Sequence, residues 1–433
     1  MIQRSLTLFG GLFVLILVVG WVMGLPFTSS RLVEAAAYAL IALGLNIQWG
    51  YGGLFNFGIM GFLMVGGFAV TFISAPVNPV FWGSDGPMML GRALLAFFVG
   101  ALLVLGARQS ERIGIRGGWK TALTVLAWFI AYCLYRSQLD PAAAYIEGLG
   151  GRDAWIGGLG GHPVLGWLFG GVLAAAIAFV VGKICLGLRT DYLAIATIGI
   201  SEIIRALIKN MDWLTRGTLT VSPIPWPTPL PQEYQAGGMN IASSLIAARA
   251  GYLILAIVVL GIVLWLISRA YSGPWGRMMR AIRDNHIAAS SMGKNVTARQ
   301  LEIFVFGSVL MGIGGAMLVS FVQIFDPSSY QPINHTFLVW VMVIVGGAGN
   351  NWGALFGAIL IWLIWVVSEP LSKAVFEFVS MWSTNFGWGA IPEIDARSAQ
   401  MRVFVLGLVI TIALRFAPRG LIPEVVKREG VRN

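Results

Sequence analysis

Apolar residues run in long blocks separated by short polar or Gly-rich stretches. The blocks are too long and too continuous for the amphipathic helices or strands of a soluble domain. A helix needs about 17–25 mostly apolar residues to cross a bilayer. Walking the chain gives twelve candidates: 8–25, 32–48, 57–75, 90–107, 121–136, 164–184, 192–208, 251–268, 301–323, 336–346, 352–369 and 402–415. Segments 336–346 and 402–415 are short, so each tilts, pairs across a break or begins earlier. The first segment, after Arg4, resembles a signal peptide but lacks a small-residue cleavage site, and is read as a retained span. The expected fold is an all-α polytopic membrane protein of about 10–12 transmembrane helices, with Gly-broken segments and inverted repeats.

Two interruptions define the breaks. One is Trp49-Gly50-Tyr51-Gly52-Gly53-Leu54-Phe55-Asn56-Phe57-Gly58, the other Val345-Gly346-Gly347-Ala348-Gly349-Asn350-Asn351-Trp352-Gly353. Non-helical backbone at membrane depth is tolerated only where protein buries it or a cavity wets it. Gly-interrupted segments in matching places of two halves point to a transport path, although plain turns between packed helices would read alike. Gly312, Gly314, Gly315 and Ala316 permit close helix approach. Polar groups inside apolar segments include Asn46, Gln48, Thr197, Ser201, Glu202, Arg205 and Gln323. Glu202 and Arg205 lie three apart and either pair with each other or meet a polar substrate.

The outer stretches differ in kind. Residues 222–232 are Pro-dense and predicted non-helical, and 147–163 are Gly-rich. The organisation expected is N-terminal helices over 1–75, an insert with extra apolar segments over 76–163, a core over 164–424 containing a loop at 269–300, and a tail at 425–433.

Composition supports the membrane reading: 57% of the 433 residues are hydrophobic and 11% charged, with mean hydropathy +0.80. Soluble domains carry about 25% charged residues. The net charge of +10 is distributed by topology. Stretches 1–7, 108–120, 183–191, 269–300 and 415–433 hold 18 of the 29 Lys and Arg, and the opposite side holds 7. The positive-inside rule then places both termini in the cytoplasm. Basic residues form no long run, so nucleic acid is not an expected partner. Cys133 and Cys185 sit in or beside apolar segments. His162, His286 and His335 are far apart, so no metal site is expected.

The basic loop carries the remaining chemistry. In GRMMRAIRDNHIAASSMGKNVT (276–297), Met278, Met279, Ile282, His286 and Ala289 share one face of a predicted amphipathic helix, flanked by Arg277, Arg280 and Arg283, with Gly293 as its stop. Such a helix rests on anionic lipid or docks into a partner's groove.

This run resembles the coupling-helix loop of ABC importer permeases of the branched-chain amino acid (LivM-type) family. Ala288, Ala289 and Gly293 match the spacing of the importers' EAA loop, and Ile287 stands where many importers have Glu. LGLNIQWGYGGLFNFGIMGF (43–62), LRTDYLAIATIGISEIIRALIKN (188–210), VMVIVGGAGNNWGALFGAIL (341–360) and RFAPRGLIPE (415–424) are similar to further family motifs in the same order. The resemblance covers 1–75 and 164–424 but not the insert 76–163.

The resemblance implies half of a permease pair in a bacterial inner membrane. The other half is a related permease, joined by two cytoplasmic ATPase subunits and an external substrate-binding protein. Coupling falls to Arg277, Arg280, Arg283, Ile287, Ala288, Ala289 and Gly293. The path falls to Asn46, Gly50, Gly52, Gly53, Asn56, Glu202, Arg205, Gly346, Gly347 and Gly349. Substrates implied are branched-chain amino acids, with urea or short amides as the alternative. No phosphate loop occurs, so the chain is not expected to be an enzyme or to hold a cofactor; ATP and Mg2+ belong to the ATPases. A stand-alone secondary transporter would want an intramembrane carboxylate cluster, and only Glu202 lies well inside.

Overall fold

The computed structural model describes residues 2–110, 117–387 and 389–424; the expected tail at 425–433 lies outside them. The described residues form helices α1 (Ile2–Met23), α2 (Leu25–Leu45), α3 (Ile59–Ser74), α4 (Pro79–Trp82), α5 (Gly86–Arg108), α6 (Gly118–Glu147), α7 (Pro163–Cys185), α8 (Thr190–Lys209) and α9 (Asp212–Thr215). There follow α10 (Pro231–Ala236), α11 (Ile241–Ser272), α12 (Pro274–Asp284), α13 (His286–Ser291), α14 (Val296–Val322), α15 (Leu338–Gly346), α16 (Asn351–Asn385) and α17 (Ile394–Phe416). Two π-helical turns, Asn46–Tyr51 and Ile333–Phe337, extend α2 and precede α15.

Among the described residues, nine helices are long and apolar enough to cross a membrane. Two shorter apolar helices, Ile59–Ser74 and Asn334–Gly346, accompany them. The segment expected at 192–208 does form a helix, α8. Asp191, Glu202, Arg205 and Lys209 make it too charged to count with the nine.

α2 and α14 form the buried centre, packed with α3, α7, α15 and the first half of α16. Small residues make that density possible. A side chain on Gly66 of α3 would overlap the Gly312 carbonyl of α14, so the two backbones touch. Gly314 lies against Ala37 and Ile41 of α2, and Gly315 against Leu63 of α3. α1 and α17 flank this centre and turn most of their surface outward.

The insert is a hairpin of α5 and α6 that pack mainly on each other. It joins the rest where Asn78 donates to the Asp153 and Trp155 carbonyls at 3.0 and 2.8 Å, and where Phe81, Ile146 and Ile156 cluster. The Pro-dense stretch is non-helical only to Leu230. Pro231 and Gln232 begin α10, because Pro at the first helical position removes a donor that would be unpaired anyway.

Candidate functional site: a broken-helix junction clasped by the basic loop

α2 does not simply end at its Gly-rich break. It widens into the π turn at Asn46–Tyr51 and then unwinds through residues 52–58 before α3 starts. The second break, 347–350, separates α15 from α16. The fold brings the two together. Asn46 Nδ2 donates to Asn351 Oδ1 at 3.1 Å, and the Gly349 N–H donates to Asn46 Oδ1 at 2.8 Å. Gly50 faces Gly349 so closely that a Cβ there would strike both the Gly349 nitrogen and Asn46 Oδ1.

The polar network continues inward. Gln48 Nε2 donates to the Phe304 carbonyl at 2.8 Å and to Ser308 Oγ at 3.1 Å on α14. Asn56 Nδ2 donates to Gln48 Oε1 at 2.8 Å, and its own Oδ1 accepts from the Gly58 N–H. Asn46, Gln48 and Asn56 are fully buried, with every side-chain amide oxygen and nitrogen paired. Buried polar groups in such a network are costly to unpair. Gly52 packs on Ile303, and Gly53 takes a left-handed φ of 67° beneath Arg283. Gly346 abuts Gly353 and Gly357, while Gly347 lies against the Ile422 carbonyl.

The C-terminal segment closes the junction. The Leu421 and Ile422 N–H groups donate to the Val345 and Gly346 carbonyls, so the chain end pairs with carbonyls that α15 leaves free. Arg283 of the basic loop then reaches into it. Its Nη1 donates to the Gly50 carbonyl at 2.6 Å and to Glu424 Oε2 at 2.9 Å. Burial works against the Arg283 charge, but Glu424, with Asp284 beside it, holds its pKa above the ordinary arginine value.

The loop departs from expectation in one respect. It forms two helices, because Asn285 adopts extended backbone (φ −156°) and its side chain caps the second by accepting from the Ala288 N–H at 3.0 Å. Of the five residues expected to share one face, Met279, Ile282 and Ala289 are buried against this chain, Met278 is half-buried and His286 is exposed. Gly293 follows the second helix at φ 76°. Arg277 and Ala288 are exposed, Arg280 half-buried. Ile287 and Met292 stand out at 66% and 81% exposure.

Glu202 and Arg205 do pair, at 3.1 Å, but half-exposed on the outer surface of α8. Exposed Ile195, Ile198, Ile203 and Leu207 share that helix. Its inner face holds Leu193, Thr197 and Ser201, with Thr197 Oγ1 accepting from the Phe57 N–H at 3.0 Å. Next to it Trp340 stacks on Phe57 at 4.6 Å and on Phe55 at 5.6 Å, and its indole donates to the Asn56 carbonyl. Glu424, Asn351, Ser308 and Trp340 were not among the sequence-derived site residues. Only Glu424 and Asn351 carried a signal, as parts of quoted motifs without an assigned role.

Comparison with known proteins gives this arrangement a family. The profile of the branched-chain amino acid transport system / permease component family matches residues 27–140 and 113–414. The chain belongs to that family. It is 27% identical over 265 residues to the high-affinity branched-chain amino acid transport system permease protein LivM of Salmonella typhimurium, and 28% identical over 265 residues to that of Escherichia coli. Each alignment covers 58% of this chain and 56% of the relative, so the chain spans little more than half the length of these two proteins. A probable branched-chain amino acid transport permease protein LivM of Methanocaldococcus jannaschii is 23% identical over 411 residues, covering 93% of this chain and 95% of the relative. The last alignment runs through the insert, which the sequence motifs did not cover. No solved structure gives a significant match.

Proposed function

We propose that this permease-family chain forms half of the membrane path of an ATP-driven importer for branched-chain amino acids. The observation that carries the reading is Arg283, which ties a surface-exposed helical loop to the π turn of a broken membrane helix. A force applied to that loop reaches the break through one side chain. Exposed Ile287 and Met292 offer an apolar foothold for a cytoplasmic ATPase. ATP and Mg2+ would be handled by two such subunits, and conformational change would follow from their closure.

The α8 face supports a second permease as neighbour. An ion pair facing hydrocarbon is costly, so the Glu202–Arg205 surface fits a protein interface or an aqueous path better than lipid. An external binding protein would deliver solute. The Lys and Arg bias supports a cytoplasmic side for both termini and the basic loop, and the membrane would be a bacterial inner membrane.

The test is reconstitution in proteoliposomes with the ATPase and permease subunits encoded beside it, loaded with binding protein and labelled leucine. ATP-dependent leucine uptake that needs all subunits supports the reading. Uptake by this chain alone, unaffected by ATP, overturns it.

A further inference from the structure

A second charged cluster lies away from the junction. Arg31 and Glu34 sit one turn apart on α2, and Arg31 Nη1 donates to both Glu34 oxygens at 2.9 and 2.8 Å. Glu34 is only 8% exposed. Both residues line an open-mouthed cavity of about 210 Å3 between α2, α3, α14, α16 and the segment before α15. Neither α8 nor the basic loop contributes to its lining.

The lining joins opposite charges to apolar walls. Tyr38 stacks on Trp362 at 4.3 Å, Leu63, Leu318 and Val322 give an apolar wall, and Ser329, Tyr330 and His335 add a polar side. Two donors on it are unspent. Arg31 Nε is buried with no hydrogen-bond partner among the described residues. So is Trp362 Nε1, which lies near the Glu34 carboxylate but outside hydrogen-bond geometry. Ionisable residues inside a membrane bundle mark solute or ion sites by default, since their burial is otherwise a net cost. The volume is below the roughly 300–1,000 Å3 of pockets for drug-sized ligands and suits a smaller solute.

We propose that this cavity binds a free α-amino acid with an apolar side chain, the choice of ligand resting on the transport reading above. Its carboxylate would take the free guanidinium and indole donors. Its ammonium would meet Glu34 and the aromatic faces, and its side chain would lie on the leucine and valine wall. Such a site holds solute inside one subunit, apart from the face that α8 presents.

The purified chain in detergent, without the other subunits, tests this by equilibrium binding of labelled leucine. Saturable binding at millimolar concentration or below is expected, competed by valine but not by isocaproate or isoamylamine, which each lack one charge. Glu34→Gln and Leu318→Trp should each weaken it at least tenfold; the second fills the cavity and leaves the ion pair intact. Unchanged thermal melting shows that a variant is folded. No saturable binding, equal competition by isocaproate, or binding that survives both folded variants overturns the site. Leucine uptake by the assembled importer without such binding overturns the site and leaves the transport reading intact. Binding here without ATP-driven uptake does the reverse.

Discussion

Arg283 and Gly50 are 233 positions apart in sequence, and the guanidinium of one donates to the carbonyl of the other at 2.6 Å. This contact joins the basic loop to the broken helix, and Glu424 holds its charge in place. Arg283→Ala removes both bonds and leaves the Gly50 carbonyl and Glu424 short of a donor. ATP-dependent uptake should fall at least tenfold, with basal ATPase activity of the assembled complex retained. Stability should drop by about 1–3 kcal/mol. Arg283→Lys keeps a donor and should recover part of the uptake. Normal uptake by folded Arg283→Ala would remove the contact from the coupling route.

Gly50 has no room for a methyl group, since a Cβ would strike Gly349 and Asn46. Gly50→Ala should therefore cost about 1–3 kcal/mol, the range for overpacking a tight site. Gly10, with nothing near its absent Cβ, is the control, and Gly10→Ala should be neutral. Thermal melting of the two purified variants decides; equal melting points would show that the two breaks do not touch.

Asn46 bonds with both Gly349 and Asn351. Asn46→Leu and Asn351→Leu should each destabilise by about 1–3 kcal/mol, with the double variant well short of the sum because the two share one interaction. Strict additivity in melting measurements would place them in independent environments.

Docking is best probed at Ile287 rather than at Ala289. Ala289 is buried, so a charge there disturbs the loop itself, whereas Ile287 is exposed. Ile287→Asp should leave folding unchanged and abolish co-purification of the ATPase subunits. Retained co-purification and uptake would move the docking surface elsewhere.

Glu202→Gln breaks the ion pair on the outer face of α8 without changing size. Uptake should fall severalfold while membrane levels stay normal. Wild-type uptake would take Glu202 out of the path.

The apolar blocks were legible from sequence because membrane crossing demands a length and a composition that nothing else does. Both breaks were legible as glycine clusters, and Glu202–Arg205 as a pair by their spacing. The meeting of the breaks was not, because Asn46 and Asn351 pair across 305 positions and local pattern holds no record of such a partner. Splitting of the basic loop at Asn285 was missed for a related reason. The apolar face of 278–289 fits one helix, and only the side-chain cap shows that the backbone breaks there. Arg283 was grouped with Arg277 and Arg280 as flanking charge, yet of the three it alone reaches the Gly50 carbonyl.

The π turn at Asn46–Tyr51 carries a further consequence. It stores one residue more than an α turn of the same height. Letting that surplus residue slip out would rotate everything beyond it by about 100°, the angle one residue subtends in an α-helix. Gly50 lies in that turn, so the Arg283 grip on its carbonyl fixes a rotational phase of the helix end. Losing that grip would free the helix end, and with it the segment 52–58, to take a different phase.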